Sequence, residues 1–145
     1  MDPRDYVAFH ADFPDDAQWD AQGNLFVPGG QTIAESLRTQ LQSAGFSCSD
    51  VFQHDDYGWT FDAVSEKIKV WCLLAAVEDA WLLILKQKKS IIRYLFVPIG
   101  NLAFEEFQDK VHEILTGDER FSKVSWYTKS DYDSGKENRG SPSPR

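Results

Sequence analysis

His54, Asp55 and Asp56 stand side by side ahead of Tyr57, Gly58 and Trp59. An imidazole beside two carboxylates has the composition of a general acid–base site and, with more ligands, of a metal centre. Neighbouring residues in a turn splay their side chains, however, so three in a row do not close on one ion. A metal site would need His10 and Asp12, reaching across a sheet from the first predicted strand; the remaining imidazole, His112, falls on a predicted helix and reads as a surface residue. The simpler reading is a polar turn. Aspartates start turns, and Gly58 lets the backbone bulge or a bulky neighbour lie over it as the chain enters an aromatic strand.

Other chemistries fare no better. The stretch 28–32 (PGGQT) puts two glycines at a helix entry, where free N–H groups and the helix dipole can hold an anion. It lacks the lysine and spacing of a phosphate-binding loop, and Glu35 would repel an anion, so it reads as a structural entry. No GxSxG nucleophile elbow occurs. Cys48 and Cys72 lie in apolar contexts without CxxC spacing and read as buried free thiols. No catalytic, cofactor or metal set is expected.

The charge is more informative. The net charge of −8 is spread unevenly: residues 1–66 hold 12 acidic and two basic side chains, whereas residues 67–145 hold 11 and 13. So acidic a half repels phosphate backbones and argues against nucleic-acid binding, while it attracts a basic protein. Asp12, Asp15, Asp16, Asp20, Asp55 and Asp56 fall in segments flanking the first strand and preceding the aromatic strand, as does Asp50. If these loops share one end of the sheet, they form a carboxylate cluster with Trp19 and Tyr57 inside it. Asp12, Asp15, Asp16, Trp19, Asp20, Asp55, Asp56 and Tyr57 are therefore the candidate partner-binding residues. Charge would steer the partner and buried rings would hold it.

The elements that must position these residues follow from hydrophobic periodicity. Residues 6–13 alternate as a first strand, stopped by Pro14. Residues 15–22 read as a polar turn with Trp19 as an isolated ring, and residues 24–27 as a short strand. Ile33, Leu37, Leu41 and Ala44 recur at helical spacing. Thr32 and Glu35 suggest a capping box before that helix, and Gly45 a left-handed C-terminal stop after it. Strands follow at 46–53, 57–63, 68–77 and 81–85, the last three as a meander joined by short turns. Trp71 and Trp81 sit in strands that are apolar on both faces and are expected to be packed. Residues 90–97 fit a strand or a helix, with helix preferred. A second helix after Asn101 buries Phe104, Phe107, Val111 and Ile114 or Leu115, and Phe121, Val124 and Trp126 mark a last strand. Together these predict an α+β fold: a mainly antiparallel sheet of about five strands, with two main helices packed on one face. Residues 1–129 are expected to form a single globular domain. Residues 130–145 are polar and are expected to be a disordered tail.

The whole chain resembles the small acidic α+β immunity proteins encoded beside bacterial toxins. The likeness lies in the size, the acidic first half, the PGGQTIAESL helix entry, the DYGWTF strand, and the C-terminal helix followed by a Trp-bearing strand. The resemblance implies a non-enzymatic protein that binds and inhibits a cognate, basic toxin domain, by analogy and without assigning a role to any residue. The N-terminal stretch lacks the basic-then-apolar order of a signal peptide, and no apolar run is long enough to span a bilayer. A cytoplasmic monomer or homodimer that needs no membrane is expected. A small enzyme or ligand-binding domain using the His54–Asp55–Asp56 turn, and a structural adaptor subunit, are the alternatives.

Overall fold

The computed structural model describes residues 3–55, 57–88 and 100–145. Asp56 and residues 90–97 thus lie outside the described residues. The main sheet is seven-stranded and antiparallel, in the order β4-β6-β7-β8-β1-β9, with β5 also paired to β6. Its members are β1 (Tyr6–Ala11), β4 (Ser47–Cys48), β5 (Phe52–His54), β6 (Gly58–Val64), β7 (Lys69–Val77), β8 (Ala80–Lys88) and β9 (Phe121–Tyr127). A separate two-stranded hairpin joins β2 (Gln18–Trp19) to β3 (Leu25–Val27).

The sheet is larger than the five strands expected. The single strand predicted over 46–53 is two short ones, each pairing a different part of β6: Ser47 with Val64, and Phe52 with Thr60. Trp19 stands in a two-residue strand rather than in a turn. β8 runs on through Lys86 and Lys88, which pair with Trp71 and Lys69.

Two main helices, α1 (Gln31–Ser43) and α2 (Gly100–Gly117), cover one face of this sheet. Period-two alternation in the strands and the 3.6-residue period in the helices aim the same apolar set inward. From the sheet come Val7, Phe9, Trp59, Phe61, Val70, Cys72, Leu74, Leu83, Leu85 and Trp126; from the helices come Ile33, Leu37, Leu41, Phe107, Val111 and Leu115. Trp81 packs against this core. Trp71 belongs to the opposite face, half-buried, with the ring of His54 edge-on at 5.8 Å. Cys72 is buried and Cys48 half-buried, both as free thiols.

α1 begins differently from the expected capping box. Its N-cap is Gly30 at φ 107°, and no side chain of the cap residue accepts a hydrogen bond. Thr32 is already inside the helix. A Cβ at Gly30 would lie 2.7 Å from the Trp81 ring, so both the left-handed backbone and the close ring demand glycine. The C-terminal end follows the sequence: Gly45 takes φ 103° and donates its N–H to the Gln42 carbonyl.

A short helix α3 (Lys129–Asp133) starts at Thr128, whose side chain accepts from the Asp131 N–H. Tyr132 packs its ring tilted against Tyr6 and edge-on to Tyr127, at 5.5 and 5.6 Å between centroids. Ser141 and Trp126 exchange both backbone hydrogen bonds, at 2.8 and 2.7 Å. Arg145 pairs with Asp109 of α2, and Pro144 is buried. The apolar residues are few, but they are rings and a proline placed where β9 would otherwise present an open edge.

Candidate functional site

Strand register decides which loops are neighbours. Phe9 pairs with Trp81, Gly58 with Ala75, and Ala11 with Phe121. The C-terminal end of β1, the β5–β6 turn, the β7–β8 turn and the approach to β9 therefore share one end of the sheet. Asp12 and Asp15 follow β1, and Asp55 and Tyr57 lie in the β5–β6 turn. Glu78 and Asp79 form the β7–β8 turn, and Asp118 and Glu119 precede β9. The N–H of Asp12 reaches the Arg120 carbonyl at 2.7 Å, tying the end of β1 to the start of β9.

The β2–β3 hairpin is anchored to the same end. The Trp59 indole donates to the Pro28 carbonyl at 3.0 Å. A Cβ at Gly29 would touch Trp81, Ala17 and Asp15 at 3.6–3.7 Å, so the loop and the Asp15 segment pack together. The Gln53 side-chain amide bridges hairpin and turn, donating to the Phe26 carbonyl at 3.1 Å and to the Asp55 carbonyl at 2.7 Å. One nitrogen thus holds Phe26 and Asp55 side by side.

Four of the large apolar side chains exposed among the described residues sit here: Trp19 (59%), Phe26 (50%), Phe52 (61%) and Tyr57 (49%). Asp12, Asp15, Asp20 and Asp55 are exposed around them. Asp15 and Asp20 use one carboxylate oxygen each for their own turns: Asp15 accepts from the Ala17 N–H, and Asp20 from those of Gln22 and Asn24. Phe26 was legible, since period two in Leu25–Val27 turns it away from its neighbours. Phe52 and Gln53 gave no such signal, because their strand is only three residues long.

Asp16 is different. It accepts from the Gly30 N–H at 2.7 Å, the Thr32 N–H at 2.8 Å and the Thr32 hydroxyl at 2.8 Å. The anion at the PGGQT helix entry is thus the chain's own carboxylate, capping α1 from another segment. Burial pushes its pKa up, but these donors outweigh it and hold the carboxyl below its ordinary range. Asp50 lies elsewhere, 3.6 Å from Arg38 of α1.

Among the described residues, the His54 turn brings no set of metal ligands together. β5 and β1 stand four strand positions apart, so His54 and His10 are separated by about 19 Å at the usual strand spacing. No group of three or more His, Cys, Asp or Glu that could hold a metal occurs among the described residues. Asp55 takes φ 52°, as a turn aspartate does. The His54 ring meets Tyr57 edge-on at 5.1 Å as well as Trp71, linking the turn to the outer face of β7. Gly58 is required because a Cβ would fall 2.6 Å from the Leu74 carbonyl oxygen.

On the far flank, Arg120 places its guanidinium 4.4 Å from the Phe13 ring centroid and forks onto Asp118 at 3.0 and 2.7 Å. The Arg120 hydrogen bond is the main cause that lowers the Asp118 pKa to about 2. His112 is no plain surface residue: its Nδ1 accepts from the indole of fully buried Trp126 at 3.1 Å.

Comparison with protein-family models, curated proteins and solved structures yields no match. The fold and site define an α+β protein whose sheet end carries exposed rings among carboxylates. No helix among the described residues is long and apolar enough to cross a membrane.

Proposed function

We propose that this protein is a non-enzymatic inhibitor that binds a cognate, basic bacterial toxin domain in the cytoplasm through the acidic, ring-bearing end of its sheet. The observation that carries the reading is the meeting of two loop systems there. The hairpin with Trp19, Phe26 and Asp20 lies against the turn with Asp55 and Tyr57, held by Gln53. Exposed rings supply area that becomes favourable once a partner excludes water, and the surrounding carboxylates bring a basic surface to them. Asp12, Asp15, Trp19, Asp20, Asp55 and Tyr57 are the contact residues proposed, with Phe26 and Phe52 added; Asp56 belongs to the same turn by sequence. Asp16 supports the site by fixing the helix entry beneath it.

The test is reconstitution with the product of the neighbouring gene. A toxin-like neighbour should bind this chain in a stoichiometric complex and lose its activity. A neighbour that neither binds nor is inhibited removes the reading, and an obligate assembly with other copies would favour an adaptor role instead.

A further inference from the structure

β9 ends the main sheet on one side and is seven residues long, whereas the other side ends in β4 and β5, of two and three residues. An edge strand of that length is a template for another strand. The same strand of a second copy fits it best, because two identical strands pair antiparallel about a two-fold axis. We infer that residues 137–145 are an edge guard. They close β9 and offer nothing to a further strand, and dislodging them lets β9 pair with β9 of a second copy, whatever partner the acidic end meets.

The backbone donors can be followed one by one. Ser141 turns both its N–H and its carbonyl inward, to Trp126. The Gly140 N–H goes to the Glu137 carbonyl at 3.3 Å, and the Ser143 N–H to the Ser141 hydroxyl at 3.3 Å. Pro142 and Pro144 have no N–H to give. Residues 140–144 thus leave no backbone donor for an incoming strand, and an antiparallel pair needs donors from both sides. The segment is also firmly seated. The Tyr127 hydroxyl donates to the Glu137 carbonyl at 3.3 Å, and Arg145 pairs with Asp109 of α2. A Cβ at Gly140 would run into the Ser125 hydroxyl and lie 2.8 Å from the Tyr127 ring. The first half of β9 is protected by other means: its register against β1 shifts between Ala8 and His10, and exposed Lys123 takes φ 53°. An irregular register and an edge lysine both discourage strand addition.

Two substitutions in the full chain dislodge the guard at different atoms. Gly140→Val fills the space held against Ser125 and Tyr127, and Ser141→Pro removes the N–H that the Trp126 carbonyl accepts. Circular dichroism and melting check that each variant folds. Sedimentation over a range of concentrations should show both variants self-associating about tenfold more tightly than the wild type or more, the scale of one or two net backbone hydrogen bonds. Hydrogen exchange at the Trp126 amide locates the contact. That amide should be protected in the wild type, exchange faster in the dilute variants, and regain protection as they are concentrated. Folded variants that associate no more than the wild type would overturn the inference and leave the segment a packing element alone. Association that leaves the Trp126 amide unprotected would overturn the assignment to β9. Loss of the fold in both variants would also overturn it, since the segment would then be part of the core and not a guard upon it.

Discussion

Asp16 and Trp19 stand three residues apart in the same acidic stretch and do opposite work. Asp16 feeds three donors at the start of α1, so Asp16→Ala should cost ~1–2 kcal/mol, the range of a lost helix cap. Its carboxyl titrates below the ordinary range in the folded protein. The stability it adds is therefore complete above the unfolded carboxyl pKa and disappears as pH falls through the folded value. Urea titrations at neutral and acidic pH should show the wild type losing more stability on acidification than Asp16→Ala; parallel losses would contradict the cap. Trp19 touches solvent over most of its surface. Trp19→Ala should leave the melting temperature nearly unchanged and weaken partner binding by ~2 kcal/mol or more, as for an interface anchor. A large drop in melting temperature would place Trp19 in the packing. The sequence marked both residues as acidic-loop members but could not separate them. The contacts of Asp16 reach 14 and 16 residues along the chain, and no local pattern encodes that.

Among the elements, length decided what could be read in advance. α1, α2 and strands β6–β8 are long enough for periodicity to average over their irregularities, and their buried stripes match the spacing of Ile33, Leu37 and Leu41 or Phe104, Phe107 and Val111. β2, β3 and β5 have two or three residues each, too few for a period to register, and they carry much of the candidate site. The C-terminal segment is a case of another kind. Composition counts apolar residues, whereas this segment is held by a few well-placed ones: Tyr132 between Tyr6 and Tyr127, buried Pro144, and the Ser141–Trp126 backbone pair. Deleting residues 129–145 should lower stability by about 2 kcal/mol or more, the scale for uncovering one to two large side chains. Limited proteolysis offers a second check: the intact chain should resist cleavage within 130–141. Rapid trimming there, without change in the melting temperature, would return the segment to the disordered tail that its composition suggests.

Over the whole molecule, the uneven charge of the sequence becomes a direction in space. Asp12, Asp15, Asp20, Asp55, Glu78 and Asp79 gather at one end of the sheet, while Lys67, Lys69, Lys86 and Lys88 lie at the other, where Lys69 pairs with Lys88. Asp62 answers Lys88 at 3.2 Å, so the basic end is partly compensated. Among the described residues, Arg120 stands at the acidic end and is already engaged by Asp118. On the proposed function, such a molecule would turn in the field of a basic partner and present its ring-bearing end first. Association should therefore slow by about tenfold or more between ~10 mM and ~150 mM salt, as the Debye length falls from roughly 30 to 8 Å. Dissociation, governed by the buried rings, should change much less. Reversing Asp15, Asp20 and Asp55 to lysine should reduce the association rate far more than replacing Lys67, Lys69 and Lys86 by glutamine. Stopped-flow measurements with the neighbouring gene's product separate the two. An association rate indifferent to salt, or equally sensitive to both sets of substitutions, would mean that the acidic end serves solubility and steers nothing.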